Sequence, residues 1–96
     1  MLNKKKIIEQ IENQKEDIRK YGVKKIGLFG SFLKKKQTQK SDIDVIVTFD
    51  KIQFKKYMEL KFMLEKLFRR NVDLVIEKDL KPELKYIKKE AYYVKI

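Results

Sequence analysis

Cysteine and histidine are absent from this chain altogether. Without cysteine there are no disulfides and no thiolate metal sites, and the compartment cannot be read from thiols. Without histidine there is no imidazole zinc site, no histidine general base and no Ser–His triad. Any base must be a carboxylate or a lysine. No apolar run approaches the roughly 18–20 residues that a membrane span needs. The opening Met1-Leu2-Asn3-Lys4-Lys5-Lys6 is basic, but an amphipathic, polar stretch follows, so it does not read as a signal peptide. The expectation is a cytoplasmic chain with no membrane partner. Acidic residues are outnumbered, 14 against 25 Lys and Arg, for a net charge of +11. That field draws nucleotides, nucleic acid and acidic protein surfaces without choosing among them. The same lysines also suit a plain solvated surface. With 96 residues, the expectation is one small domain over 1–96, with little chain left for a second, substrate-binding domain.

What is present centres on Gly30-Ser31 and Asp42-Ile43-Asp44, set between the apolar runs Ile26 to Phe29 and Ile43 to Phe49. The first run reads as a strand that stops at a glycine. A turn without a Cβ lets backbone N–H groups approach an anion closely. The second run reads as a strand whose opening carries two carboxylates. At i and i+2 they point to one face and can share a hard cation. A phosphate cradle beside paired carboxylates suggests a metal-bound nucleoside triphosphate, and hence phosphoryl or nucleotidyl transfer.

Around this centre the apolar spacing predicts an α/β (α+β) fold, a small mixed sheet of three to four strands flanked by helices mainly on one face. A helix over 3 to 21 has Asn3 as N-cap, Ile7, Ile8, Ile11 and Ile18 near one face, and Gly22 as its stop. Val23 to Phe29 is strand one, with Gly27 marking a close backbone approach. Phe32 and Leu33 begin a short helical turn, and Lys34 to Lys40 reads as a mobile basic loop. Asp42 to Phe49 is strand two, with Ile43, Val45, Val47 and Phe49 toward the core. Phe54 to Phe68 is a helix whose apolar stripe is wide enough that Phe54, Met58 and Phe62 could meet a partner. Val72 to Ile76 is strand three. Its one polar residue, Asp73, reads either as an acid paired with Arg69 or Arg70 or, given Asp42 and Asp44 nearby, as a third carboxylate of the site. Pro82 opens a last helix over roughly 82 to 91, with Leu84, Ile87 and Ala91 inward. A fourth strand would have to come from the loop or from the tail Tyr92 to Ile96.

Three carboxylates are the minimum for a divalent-metal site that handles triphosphates. Asp42 and Asp44 would hold Mg²⁺ against the phosphates. Asp73 would complete a second metal site or accept the proton of an incoming hydroxyl. Ser31 would bond a phosphate oxygen.

Gly30-Ser31, ten residues, then Asp42-Ile43-Asp44 resembles the signature of the polymerase-beta-like nucleotidyltransferases. The small size and Val72-Asp73-Leu74-Val75 look like the MNT type, the minimal nucleotidyltransferases. That resemblance implies the family's fold, transfer of a nucleoside monophosphate from a triphosphate with Mg²⁺ (two sites possible), and ATP as substrate. It also implies a HEPN-type toxin as partner in a hetero-oligomer, neutralised by adenylylation of a tyrosine, with the MNT chain as antitoxin. Carried over, Gly30 and Ser31 match the nucleotide-binding pair, and Asp42, Asp44 and Asp73 the catalytic, metal-holding carboxylates. One stretch departs from the pattern. Where family members often carry a small residue, an Arg and a Gly, this chain has Leu33, Lys34 and Lys35, and lysine lacks the bidentate fork of arginine.

The alternative is a non-catalytic antitoxin, or a basic nucleic-acid-binding module, acting by contact alone. The charge suits nucleic acid generically, but no helix-turn-helix glycine turn, RNP-like aromatic strand or zinc-ligand set accompanies it.

Overall fold

In the computed structural model, which describes residues 2–96, the first helical stretch is two helices, α1 (Lys4–Asn13) and α2 (Lys15–Lys20). The Asn3 side chain caps α1 by accepting from the Lys6 N–H at 2.9 Å. A single helix over 3 to 21 is thus corrected to two, broken at Gln14. Its N–H is shared between the carbonyls of Gln10 and Ile11, a tightened turn. Ile7, Ile11 and Ile18 are all fully buried on either side of this break. Gly22 follows with φ +83°, a backbone conformation that glycine adopts without strain.

Strand β1 (Val23–Phe29) leads directly into a four-residue helix, α3 (Gly30–Leu33). After the basic loop comes β2 (Ile43–Phe49), so Asp42 lies just ahead of the strand rather than inside it. Next come α4 (Phe54–Phe68) and β3 (Val72–Ile76). Two 3-10 turns, Glu77–Asp79 and Pro82–Leu84, lead to α5 (Tyr86–Glu90) and β4 (Tyr92–Val94). The expected last helix over 82 to 91 is therefore split and shorter. Leu84 is exposed, contrary to its expected inward place. The reason is topological: β3 and β4 are opposite edges of the sheet, and the connection between them has to cross it.

The sheet order is β3-β2-β1-β4. β2 and β3 are parallel, and β1 is antiparallel to both β2 and β4. The tail thus supplies the fourth strand. Ile26 and Leu28 of β1, Ile43, Val45 and Val47 of β2, and Val72 and Leu74 of β3 turn toward the helices and form the core with Ile7, Ile11, Ile18, Leu60, Leu64 and Phe68. α1 packs at β4, α2 at β1 and α4 at β3. The opposite face carries Asp44, Ile46 and Thr48, with Asp73 and Val75 beside them in register. Ile46 is fully buried even there. Gly27 opposite it has no Cβ, and the Tyr93 ring approaches over that gap; a methyl at Gly27 would meet Tyr93 Cδ1 and the Tyr92 carbonyl at 3.0 Å. No helix among the described residues is long and apolar enough to cross a membrane.

Candidate active site

The site lies where the end of β1, the start of β2 and the start of β3 meet, on the face of the sheet turned away from α1, α2 and α4. The register sets Asp44 beside Phe29 on one side and beside Asp73 on the other. Strand pairing thus does for Asp44 and Asp73 what spacing does for Asp42 and Asp44. It brings acids distant in sequence to one edge. Asp44 is half-buried, while Asp42 and Asp73 are exposed. Burial raises the Asp44 carboxyl above its ordinary range, and the charge of Asp73 adds to this. The nearby Ser31 backbone N–H opposes the rise, and Asp42 adds a smaller push upward.

Gly30 serves this carboxylate directly. Its φ is +75°, and a methyl on it would stand 2.8 Å from Asp44 Cγ and overlap Oδ2. The Gly-Ser turn is thus shaped around the acid, with Gly30 leaving the room that the Asp44 carboxylate fills. The structure brings Gly30, Ser31, Asp42, Asp44 and Asp73 together. It does not pair Asp73 with either arginine; among the described residues no ion pair reaches Asp73. Nor do three acidic side chains among the described residues cluster closely enough to grip a metal ion by themselves.

Several neighbours carry no signal in the linear pattern. The Tyr57 hydroxyl donates to the Leu74 carbonyl at 2.5 Å. It is raised above its ordinary range by burial and by the Asp73 charge. Glu65 of α4 accepts from the Val72 N–H at 3.1 Å, fixing the start of β3 just before Asp73. Lys34, in the place of the family's arginine, pairs with Glu90 of α5 at 3.4 Å, both ends half-exposed. Lys35 has φ +58°, the left-handed conformation that favours glycine, the residue the family resemblance leads one to expect there. The far half of the basic loop is tied to its surroundings by hydrogen bonds. Thr38 and Ser41 bond each other through N–H, hydroxyl and carbonyl groups. Arg70 donates to the carbonyls of Thr38, Gln39 and Ser41 at 3.3, 3.2 and 3.1 Å.

The model of the nucleotidyltransferase domain family matches residues 6–95. A protein adenylyltransferase, MntA, of Thermococcus cleftensis is 36% identical over 94 residues, covering 91% of this chain and 95% of the relative. The chain belongs to the MNT-type minimal nucleotidyltransferases. A solved minimal nucleotidyltransferase superposes with a TM-score of 0.73 at 27% identity, covering 88% of this chain and 93% of that one. A second solved structure, a toxin–antitoxin with AMP-PNP, gives a TM-score of 0.68 at 26% identity over 96% of this chain and 72% of that one. The mixed sheet with helices on one face is thus the fold of minimal nucleotidyltransferases, and the chain is a transferase by family.

Proposed function

We propose that this chain transfers AMP from ATP to a hydroxyl, in the first instance a tyrosine, of a partner HEPN-type toxin, and so acts as its antitoxin. Residues 1–96 form the one catalytic unit in this reading. The observation that supports it most is the gathering of Asp44 of β2, Asp73 of β3 and Asp42 just ahead of β2 around the Gly30-Ser31 turn, with the Asp44 carboxyl pushed up by burial and by its two acidic neighbours. Such an array binds a cation better than it bears its own charge. All its donors are hard oxygens, which fits Mg²⁺, an ion that takes one or two carboxylates and completes its shell with waters and phosphate oxygens. When bound, the ion neutralises phosphate charge. The chain's own contribution is placement.

Asp42 and Asp44 would hold the ion, and Ser31 would bond a phosphate oxygen. Asp73, exposed at the open edge, would take the proton as the acceptor oxygen bonds the α-phosphorus. The bond from that phosphorus to the oxygen bridging the β-phosphate breaks, and pyrophosphate leaves. The toxin partner rests on the family resemblance and on the likeness to a solved toxin–antitoxin holding AMP-PNP.

The test is transfer from α-labelled ATP with Mg²⁺ to a co-expressed HEPN-type protein, with Asp42→Asn/Asp44→Asn alongside. Label on the partner with the wild type alone supports the transferase reading. Co-purification with no label in either sample favours an antitoxin that acts by contact.

A further inference from the structure

Arg70 stands three residues before Asp73, directly after α4 ends on the left-handed Arg69. A cation so near three carboxylates would be expected to pair with one of them. It does not. Its Nη1 instead donates to three backbone carbonyls of one loop, those of Thr38, Gln39 and Ser41. Its guanidinium carbon lies 5.3 Å from the centroid of the Phe32 ring, within reach for a cation–π contact. Phe32 is almost fully buried in α3, directly after Ser31. Ser41 directly precedes Asp42. The Ile43 N–H also donates to the Asn71 carbonyl at 3.0 Å, closing the same junction from the other side.

One residue therefore links three of the segments that carry site residues. It is covalently joined to the start of β3, lies on the α3 turn, and holds the loop that delivers Asp42. We propose that Arg70 is a positioning residue of this transferase, clamping the 38–41 loop onto α3 so that Asp42 is held in place beside Gly30-Ser31 and Asp44. The inference deepens the transferase reading and rests on it for its kinetic consequence. The anchoring itself is independent of catalysis. Arginine suits the task because a planar guanidinium can lie on a ring while its edge donates to carbonyls, and it stays charged at any working pH. The exposed Asp42 has no structure of its own to hold it, since it lies outside the strand.

The experiment compares the full chain with Arg70→Ala, with and without low-millimolar guanidinium far below denaturing levels. It reads amide hydrogen exchange at Thr38 and Ser41 against Val45 and Val47 of β2, together with kcat and KM for AMP transfer. With alanine, exchange at Thr38 and Ser41 rises about tenfold or more while β2 stays protected. The rate constant kcat falls about 10–100-fold, as for a misplaced catalytic group, with little change in KM for ATP. Guanidinium restores both in Arg70→Ala and neither in Asp44→Asn. Arg70→Lys keeps charge and stem but not the plane over Phe32, and serves if alanine fails to fold; both changes are expected there too, smaller in size. Unchanged loop exchange in the variants overturns the proposal, as does lost turnover without loop loosening. A wild type that transfers nothing counts against the transferase reading alone, and the exchange arm then still decides whether Arg70 is the clamp.

Discussion

Two acids on the same face of the same sheet are held in opposite ways. At one end Asp44 of β2 faces Asp73 and Asp42, and its carboxyl is pushed up by burial first and by those charges second. At the other end Glu77, just past β3, accepts from the Thr48 hydroxyl and lies between Lys25 at 3.9 Å and Lys88 at 3.6 Å. Its carboxyl is held below the ordinary range, chiefly by the Thr48 bond, against a smaller effect of burial and helped by the two lysines. The Tyr93 hydroxyl leans on the same carboxylate at 3.5 Å, and Lys25 lies 4.6 Å from the centre of the Tyr93 ring. One end of the face is an unsatisfied acid array, and the other is a satisfied knot. The knot fastens the crossing segment and β4, while no ion pair among the described residues reaches the acids at the other end.

The sharpest break of this contrast is Asp44→Asn. AMP transfer is expected to fall about 10³-fold, the size of losing a principal charge-stabilising contact, while thermal stability without metal rises. The sign follows from the raised carboxyl: its ionised form opposes folding at neutral pH, and that penalty vanishes as pH falls through the raised value. A variant that is both inactive and less stable than the wild type contradicts this account of the site. The same titration makes transfer by the wild type fall as the pH is lowered through that value.

Gly30→Ala is next in size. It adds a methyl 2.8 Å from Asp44 Cγ at a positive φ, so it combines backbone strain with a clash. A loss of about 1–3 kcal/mol is expected in urea unfolding, together with most of the activity. Glu77→Gln probes the other end. Because the folded carboxyl is lowered, its stabilisation is present above the unfolded-state value and is lost as pH falls through the folded one. The variant should lose about 1–3 kcal/mol at neutral pH, the worth of bonds to a charged group, and little of the wild-type difference should survive in strong acid. Transfer per folded molecule should stay near wild type; a large loss there would mean that the two ends are not separate. The smallest effect belongs to Lys35→Gly, which relieves a left-handed lysine and should raise stability by about 0.5–1 kcal/mol.

Much of this was legible in the linear chain. β1, α4 and β3 carry their periods openly, and their bounds Val23–Phe29, Phe54–Phe68 and Val72–Ile76 are those that spacing predicts. Gly30-Ser31 and Asp42-Ile43-Asp44 marked a candidate site because their chemistry is local. The errors fall where the chain answers to distant partners. The break at Gln14, the divided segment after Pro82 and the exposure of Leu84 follow from the sheet they must fit, not from their own spacing. The lysine loop looked free because nothing near it in sequence could hold it; the arginine that does lies some thirty residues on.

The sequence by itself determined the inventory: carboxylates as the only acids and bases apart from lysine and tyrosine, a glycine where Asp44 needs room, and alternation that turns one sheet face to the helices. Those are properties of single residues and of short periods. Only the tertiary structure decided which acid is stressed and which is satisfied. The strand register put Asp73 beside Asp44, and the crossing chain put Lys88 and Tyr93 beside Glu77. Proton affinity depends on burial and on charges a few ångströms away, and those neighbours are supplied by pairing and crossover rather than by sequence adjacency.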